Sequence, residues 1–119
     1  MESVQEHYSA MMVAIRRYAP DVDIEKVDAA YQYAEGKHAS QKRKDGSPYV
    51  IHPLAVAEII AEIGLDTDAV VGALLHDCIE DTDSSFDDIA KRFGRTVAEL
   101  VEGVTKLTRV QYSTTEEQQ

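Results

Sequence analysis

The densest group of side chains that could do chemistry lies near the middle of the chain. An apolar run ends at Leu75, and His76 and Asp77 follow it directly. Three more carboxylates come soon after them, namely Glu80, Asp81 and Asp83. An unpaired charge is very costly in an apolar environment, so a histidine beside an aspartate there favours a bound divalent cation.

A dipeptide is too short to be specific, and the simpler interpretation is an amphipathic helix ending in a solvated acidic turn. On a helix, His76 and Asp77 are about 100° apart around the axis, so both can reach one ion. Glu80 and Asp81 lie about one turn further on. They could hold or activate a water beside that ion, with a carboxylate as general base.

His52 is the best candidate for the third protein ligand that a catalytic metal generally requires. It precedes Pro53, and proline is well tolerated at the first position of a helix, so His52 is predicted at a helix start. A helix cap or a core histidine is the simpler interpretation. His38 and His7 are assigned that simpler role, and Cys78 is predicted to be a small core residue.

A positive cluster, Lys42, Arg43 and Lys44, precedes His52 in a chain whose formal net charge is -10. Arginine can bind phosphate oxygens through two parallel hydrogen bonds, and lysines add point charges. A solvated loop is the alternative. Together, a metal and nearby cations predict a substrate rich in negative charge, and hydrolysis of a phosphoester or pyrophosphate.

The composition excludes several other classes of protein. The chain has 119 residues, 44% hydrophobic and 29% charged, which is typical of one globular domain. Its acidity disfavours nucleic acids and anionic membranes as partners. We see no signal peptide and no apolar run of the ~20 residues that span a bilayer. The single cysteine fits a reducing, cytoplasmic location.

Helical periodicity runs through most of the chain, and no segment alternates like a strand. The pattern predicts an all-α domain of about six helices, with an ordered loop at residues 39–52. The helix that runs into His76 is expected to be the most buried. The helix before it is expected to end at Gly64 and to bury an apolar stripe, which consists of Val56, Ile59, Ile60 and Ile63.

Several separated segments together resemble the start of the HD-type hydrolase domain of the RelA/SpoT alarmone family. They span about residues 24–110 and occur in the family's order: Arg43 to Tyr49, His52 to Ala57, Leu74 to Asp77, Glu80 to Thr82, and Gly103 to Leu107. The resemblance implies an HD-domain-like helical bundle. It also implies manganese-dependent hydrolysis of the 3′-pyrophosphate of guanosine tetraphosphate and pentaphosphate, giving GDP or GTP and pyrophosphate.

The resemblance also implies roles for single residues. The metal ligands are His52, His76 and Asp77, around one Mn²⁺ per site. Glu80 and Asp81 match the pair that positions and activates the attacking water. Arg43 and Lys44, next to Lys42, match residues that contact the nucleotide and its phosphates. Many family members carry a separate alarmone synthetase domain.

The sequence departs from the family in two places. A fourth ligand, an Asp in a Leu-Ala-Asp-Arg-Leu-His-Asn-like motif, is not found after Lys106. We therefore expect residues 1–119 to be the N-terminal portion of one larger hydrolase domain, ordered over about residues 3–110. We expect this chain to show weak or no turnover by itself. We also expect it to self-associate through uncovered apolar surface. Asp45 replaces a small hydroxyl residue and is expected to weaken phosphate binding.

Two alternatives remain open. The chain could hydrolyse another nucleotide or phosphoester. It could also be a metal-free helical module that binds a nucleotide or a protein partner and has a regulatory role.

Overall fold

The computed structural model describes residues 3–104, and every named element in that range is a helix. The helices are α1 (Val4–Tyr18), α2 (Ile24–Lys37), α3 (Ile51–Ile63), α4 (Thr67–Leu75), α5 (Cys78–Asp81) and α6 (Phe86–Phe93). Residues 95–104 are helical as well. The predicted all-α bundle of about six helices is confirmed. The predicted end of the ordered core, near residue 110, lies outside the described residues.

Among residues 3–104, none of the helices combines the length and the apolar character needed to cross a membrane.

Side-chain oxygens set the starts of four helices, because the first N–H groups of a helix have no partner within it. The capping residues of α1, α2, α4 and α6 are Ser3, Asp23, Asp66 and Ser85. Helix α3 has no such cap and begins at Ile51, two residues before Pro53. It ends as predicted at Gly64, whose φ of 84° is left-handed.

Helix α4 is the most buried helix, as the sequence predicted. It packs against α2 and α3, and α3 also packs against α1. All six residues from Val70 to Leu75 are buried. The two residues that follow, His76 and Asp77, are therefore held at the edge of the most buried helix.

The predicted buried stripe of α3 is half right. Val56 and Ile60 are partly buried and pack against the core, but Ile59 and Ile63 are 56% and 65% exposed. The fully buried residues of this helix are instead Leu54, Ala57 and Ala61. Helix α3 is apolar on nearly every side, so periodicity does not identify the inner face. Alanine has a small side chain, which lets the neighbouring helices approach closely, and Ile59 and Ile63 are left outside.

The predicted continuous helix through His76 is also wrong, since α4 ends at Leu75 and α5 begins at Cys78. The imidazole Nδ1 of His76 lies 2.6 Å from the carbonyl oxygen of Ala73. In an uninterrupted α-helix that carbonyl would accept the N–H of Asp77. The side chain therefore competes with the backbone at this point, and the chain turns.

Candidate metal and phosphate site

His52, His76 and Asp77 come together where the first turn of α3 meets the turn between α4 and α5. Asp77 Oδ2 lies 3.2 Å from Nε2 of His76 and 3.6 Å from Nε2 of His52. One ligand atom from each residue lies within 4.8 Å of the others. Ligands at about 2.1 Å from one ion are roughly 3.0 to 3.5 Å apart. The trio therefore fits a divalent cation.

The tautomer of His76 is set by the backbone. Its Nδ1 faces the carbonyl oxygen of Ala73 at 2.6 Å, and a carbonyl can only accept. Nδ1 therefore carries the hydrogen, and the neutral ring presents the lone pair of Nε2 to Asp77. Backbone fixing of the second ring nitrogen is typical of metal-binding histidines.

The pKa shifts in the trio follow from burial and close contact. Burial lowers the pKa of His52 and favours its neutral, ligand-competent form. Burial opposes the charged forms of His76 and Asp77. Even so, their mutual hydrogen bond keeps the pKa of His76 above its usual value and that of Asp77 below its own. A proton between Nε2 and Oδ2 stabilises this pair, so a divalent cation would have to compete with it.

Tyr49 contacts the trio from the loop before α3. Its hydroxyl lies 2.9 Å from Asp77 Oδ2 and 3.0 Å from Asp81 Oδ2. Burial and the hydrogen bond to Asp77 raise the pKa of Tyr49, so the hydroxyl keeps its proton. The sequence had predicted only an ordered loop here. An amphipathic tyrosine three positions before His52 was the available signal.

A second set of contacts holds the ring of Tyr49 in place. Its ring stacks on His38 at 4.6 Å between centroids, and His38 is only 2% exposed. Nδ1 of His38 is 2.9 Å from Gln41 Oε1, and Gln41 Nε2 donates to the backbone carbonyl of Asp81 at 2.7 Å. His38 is thus buried, as a core histidine is expected to be. The sequence had not indicated this role of Gln41.

The two acidic residues predicted to act on water, Glu80 and Asp81, are both exposed. Asp81 lies beside the trio, since its carboxylate shares the Tyr49 hydroxyl with Asp77. Cys78, between them and Asp77 in sequence, is fully buried. Burial raises the pKa of its thiol to about 12, in keeping with the predicted core role.

The basic cluster projects from a tight turn. Arg43 N–H donates to the Ser47 carbonyl, and Gly46 N–H donates to the Arg43 carbonyl, each at 2.9 Å. Lys42, Arg43 and Lys44 are all exposed. Together with Asp45 and Tyr49 they line a surface depression of about 560 Å³.

The loop that carries the cluster is ordered, as predicted. Val50 and Ser47 are 3% and 6% exposed. Asp45 Oδ1 accepts from both the N–H and the hydroxyl of Ser47, at 2.9 and 2.6 Å. These hydrogen bonds lower the pKa of Asp45, so the turn holds a carboxylate among the cations.

Comparison with known proteins confirms the resemblance inferred from the motifs. Over 88 residues the chain is 52% identical to a guanosine-3′,5′-bis(diphosphate) 3′-pyrophosphohydrolase of Aquifex aeolicus, covering 74% of this chain and 13% of that protein. It is 42% identical over 112 residues to the bifunctional (p)ppGpp synthase/hydrolase SpoT of Escherichia coli, covering 94% and 16%. The chain thus spans less than a fifth of either relative.

A solved structure of a metazoan SpoT ortholog that hydrolyses ppGpp has the same fold. It superposes with a TM-score of 0.62 and 41% sequence identity, covering 66% of this chain and 47% of the other. The sequence profile of the HD domain matches residues 30–119. That range contains His52, His76 and Asp77, together with the basic cluster and Tyr49. The chain belongs to the HD domain family.

Proposed function

We propose that the chain is the metal-binding part of a hydrolase acting on guanosine tetraphosphate and pentaphosphate. The reaction removes the 3′-pyrophosphate and gives GDP or GTP and pyrophosphate. One observation carries the proposal: Tyr49 borders the depression lined by the cations and also contacts the metal-ligand trio. A pyrophosphate could therefore be held by the cations while its ester bond faces the trio. The named activities of the relatives support this substrate.

We assign His52, His76 and Asp77 as the ligands of one Mn²⁺ ion. Two imidazole nitrogens and one carboxylate oxygen are donors suited to a divalent transition metal, and the family resemblance favours manganese. When bound, such an ion polarises a phosphoryl oxygen and activates water.

The remaining residues bind, orient and move protons. Arg43 would bind phosphate oxygens through its planar guanidinium, with Lys42 and Lys44 adding charge. Asp81 is exposed next to the trio and would accept the proton of the attacking water. Glu80, on the exposed side of α5, would orient that water from solvent.

Three further predictions accompany the proposal. Self-association is supported by exposed apolar side chains at Ile59, Ile63, Leu100 and Val104. A synthetase domain in the full-length protein is suggested by the bifunctional relative. A cytoplasmic location stays a prediction from the single cysteine.

The test measures pyrophosphate release from guanosine tetraphosphate by residues 1–119, with and without Mn²⁺. We expect slow release that requires Mn²⁺ and is lost in Asp77→Asn. GTP and ATP serve as comparison substrates and should release no pyrophosphate, because neither has a 3′-pyrophosphate. The His7→Gln variant, on α1, controls for a general effect of removing an imidazole.

Two results would contradict the proposal in different ways. Faster hydrolysis of GTP or ATP than of guanosine tetraphosphate would point to another nucleotide substrate. Binding of guanosine tetraphosphate that is unchanged by Mn²⁺ and by Asp77→Asn would favour a metal-free binding module.

A further inference from the structure

The Tyr49 hydroxyl is placed between two carboxylates that the proposed reaction uses differently. It lies 2.9 Å from Oδ2 of Asp77, a proposed ligand, and 3.0 Å from Oδ2 of Asp81, the proposed base. Oδ2 of Asp77 is also the atom that faces both histidines. The hydroxyl thus contacts the same carboxylate oxygen that faces the two histidines.

The hydroxyl is the donor toward both carboxylate oxygens. A phenol has one hydrogen, so the two oxygens share it in a three-centre hydrogen bond or take it in turn. In both cases the hydroxyl keeps the carboxylates of Asp77 and Asp81 next to each other.

The ring of Tyr49 is held firmly enough to act as such a fixed point. It stacks on the buried His38 at 4.6 Å and meets His52 edge-on at 6.1 Å between centroids. The His38 ring is hydrogen-bonded to the side chain of Gln41. Nε2 of Gln41 in turn donates to the backbone carbonyl oxygen of Asp81. One connected group of side chains thus joins the loop, α3 and α5.

We propose that Tyr49 is a positioning residue that aims the Asp77 carboxylate at the metal and holds Asp81 beside it. The inference rests on the proposed metal site. Removing the hydroxyl should let the Asp77 carboxylate rotate away from the histidines. Loss of a partner that orients a metal ligand typically weakens metal binding by about 10- to 100-fold.

The experiment compares Tyr49→Phe with Tyr8→Phe. Tyr8 is a matched control, because its hydroxyl donates to an aspartate, Asp28, at 2.7 Å, and its ring packs at a tilt against Tyr31 at 4.7 Å between centroids. Mn²⁺ binding is followed by loss of the sharp EPR spectrum of the hydrated ion. Urea unfolding without metal shows whether both variants fold.

We expect Tyr49→Phe to bind Mn²⁺ about 10- to 100-fold more weakly, with an altered EPR line shape for the bound ion. Tyr8→Phe should bind Mn²⁺ like the wild-type chain. If folded Tyr49→Phe and the wild-type chain have equal affinity and line shape, the proposed role of Tyr49 is overturned, but the metal site is not. Absence of Mn²⁺ binding by the wild-type chain would overturn the metal site itself.

Discussion

Nε2 of His76 lies 3.2 Å from Oδ2 of Asp77, and the backbone makes the neutral ring present a lone pair to that carboxylate oxygen. Two lone pairs at this distance repel unless a cation or a proton lies between them.

Mn²⁺ should stabilise the folded chain, because the unfolded chain does not hold the three ligands together. At about 100 times the dissociation constant the gain in the free energy of unfolding is about 2.7 kcal/mol. Thermal unfolding with Mn²⁺ and with excess EDTA measures it. Identical transitions in the two conditions would argue against the site.

His52→Gln should weaken Mn²⁺ binding at least about tenfold, because changes at residues that only support a ligand already cost this much. The side chain of His52 is 41% exposed, so the free energy of unfolding without metal should hardly change. Calorimetric titration with Mn²⁺ gives the affinity. The same titration of His7→Gln should match wild type, and unchanged binding by His52→Gln would remove it from the ligand set.

Arg43→Ala should weaken binding of guanosine tetraphosphate, because a charge-assisted hydrogen bond contributes about 1.5–3 kcal/mol, or roughly 10- to 100-fold. The affinity of the Arg43→Ala variant for Mn²⁺ should stay the same as that of the wild-type chain. Lys91→Ala removes an exposed cation of α6 and serves as the control. Binding is measured by calorimetry without metal. Equal losses in both variants would indicate only a long-range charge effect.

The inner face of α3 can be tested by a pair of substitutions. Leu54→Ala should lower the free energy of unfolding by about 2–5 kcal/mol, because Leu54 is fully buried. Ile63→Ala should change it by no more than about 0.5 kcal/mol, since Ile63 is 65% exposed. Urea unfolding of each variant at low protein concentration measures both. A larger loss in the free energy of unfolding for Ile63→Ala than for Leu54→Ala would support the inner face predicted from the sequence.

Two glycine substitutions should change stability in opposite directions. Gly64→Ala should destabilise by about 1 kcal/mol or more, because Gly64 has a φ of 84° and a Cβ there would lie 3.3 Å from the Tyr18 carbonyl oxygen. Gly36→Ala lies within α2, where a Cβ meets nothing within 4 Å. It should stabilise by about 0.4–1 kcal/mol. Chemical unfolding of the two variants under one condition provides the comparison, and shifts of the same sign would contradict it.

The all-α fold was predictable because its signals are local. Helix α3 ends at Gly64 as predicted, and Ser85 and Asp88, three positions apart, form a capping box at the start of α6. Burial of α4 followed from a segment that is apolar on all sides. These features depend on residues within a few positions of one another, so spacing alone reveals them.

Residue types and their spacing were enough to predict the candidate members of the site: His52, the His76-Asp77 pair and the basic cluster. How these residues meet could not be predicted from spacing, because the contacts join residues far apart in the chain. The inner face of α3, the break after Leu75 and the bridge from Tyr49 to Asp77 all depend on how helices and loop pack. Packing chooses among faces and partners that local periodicity leaves equivalent.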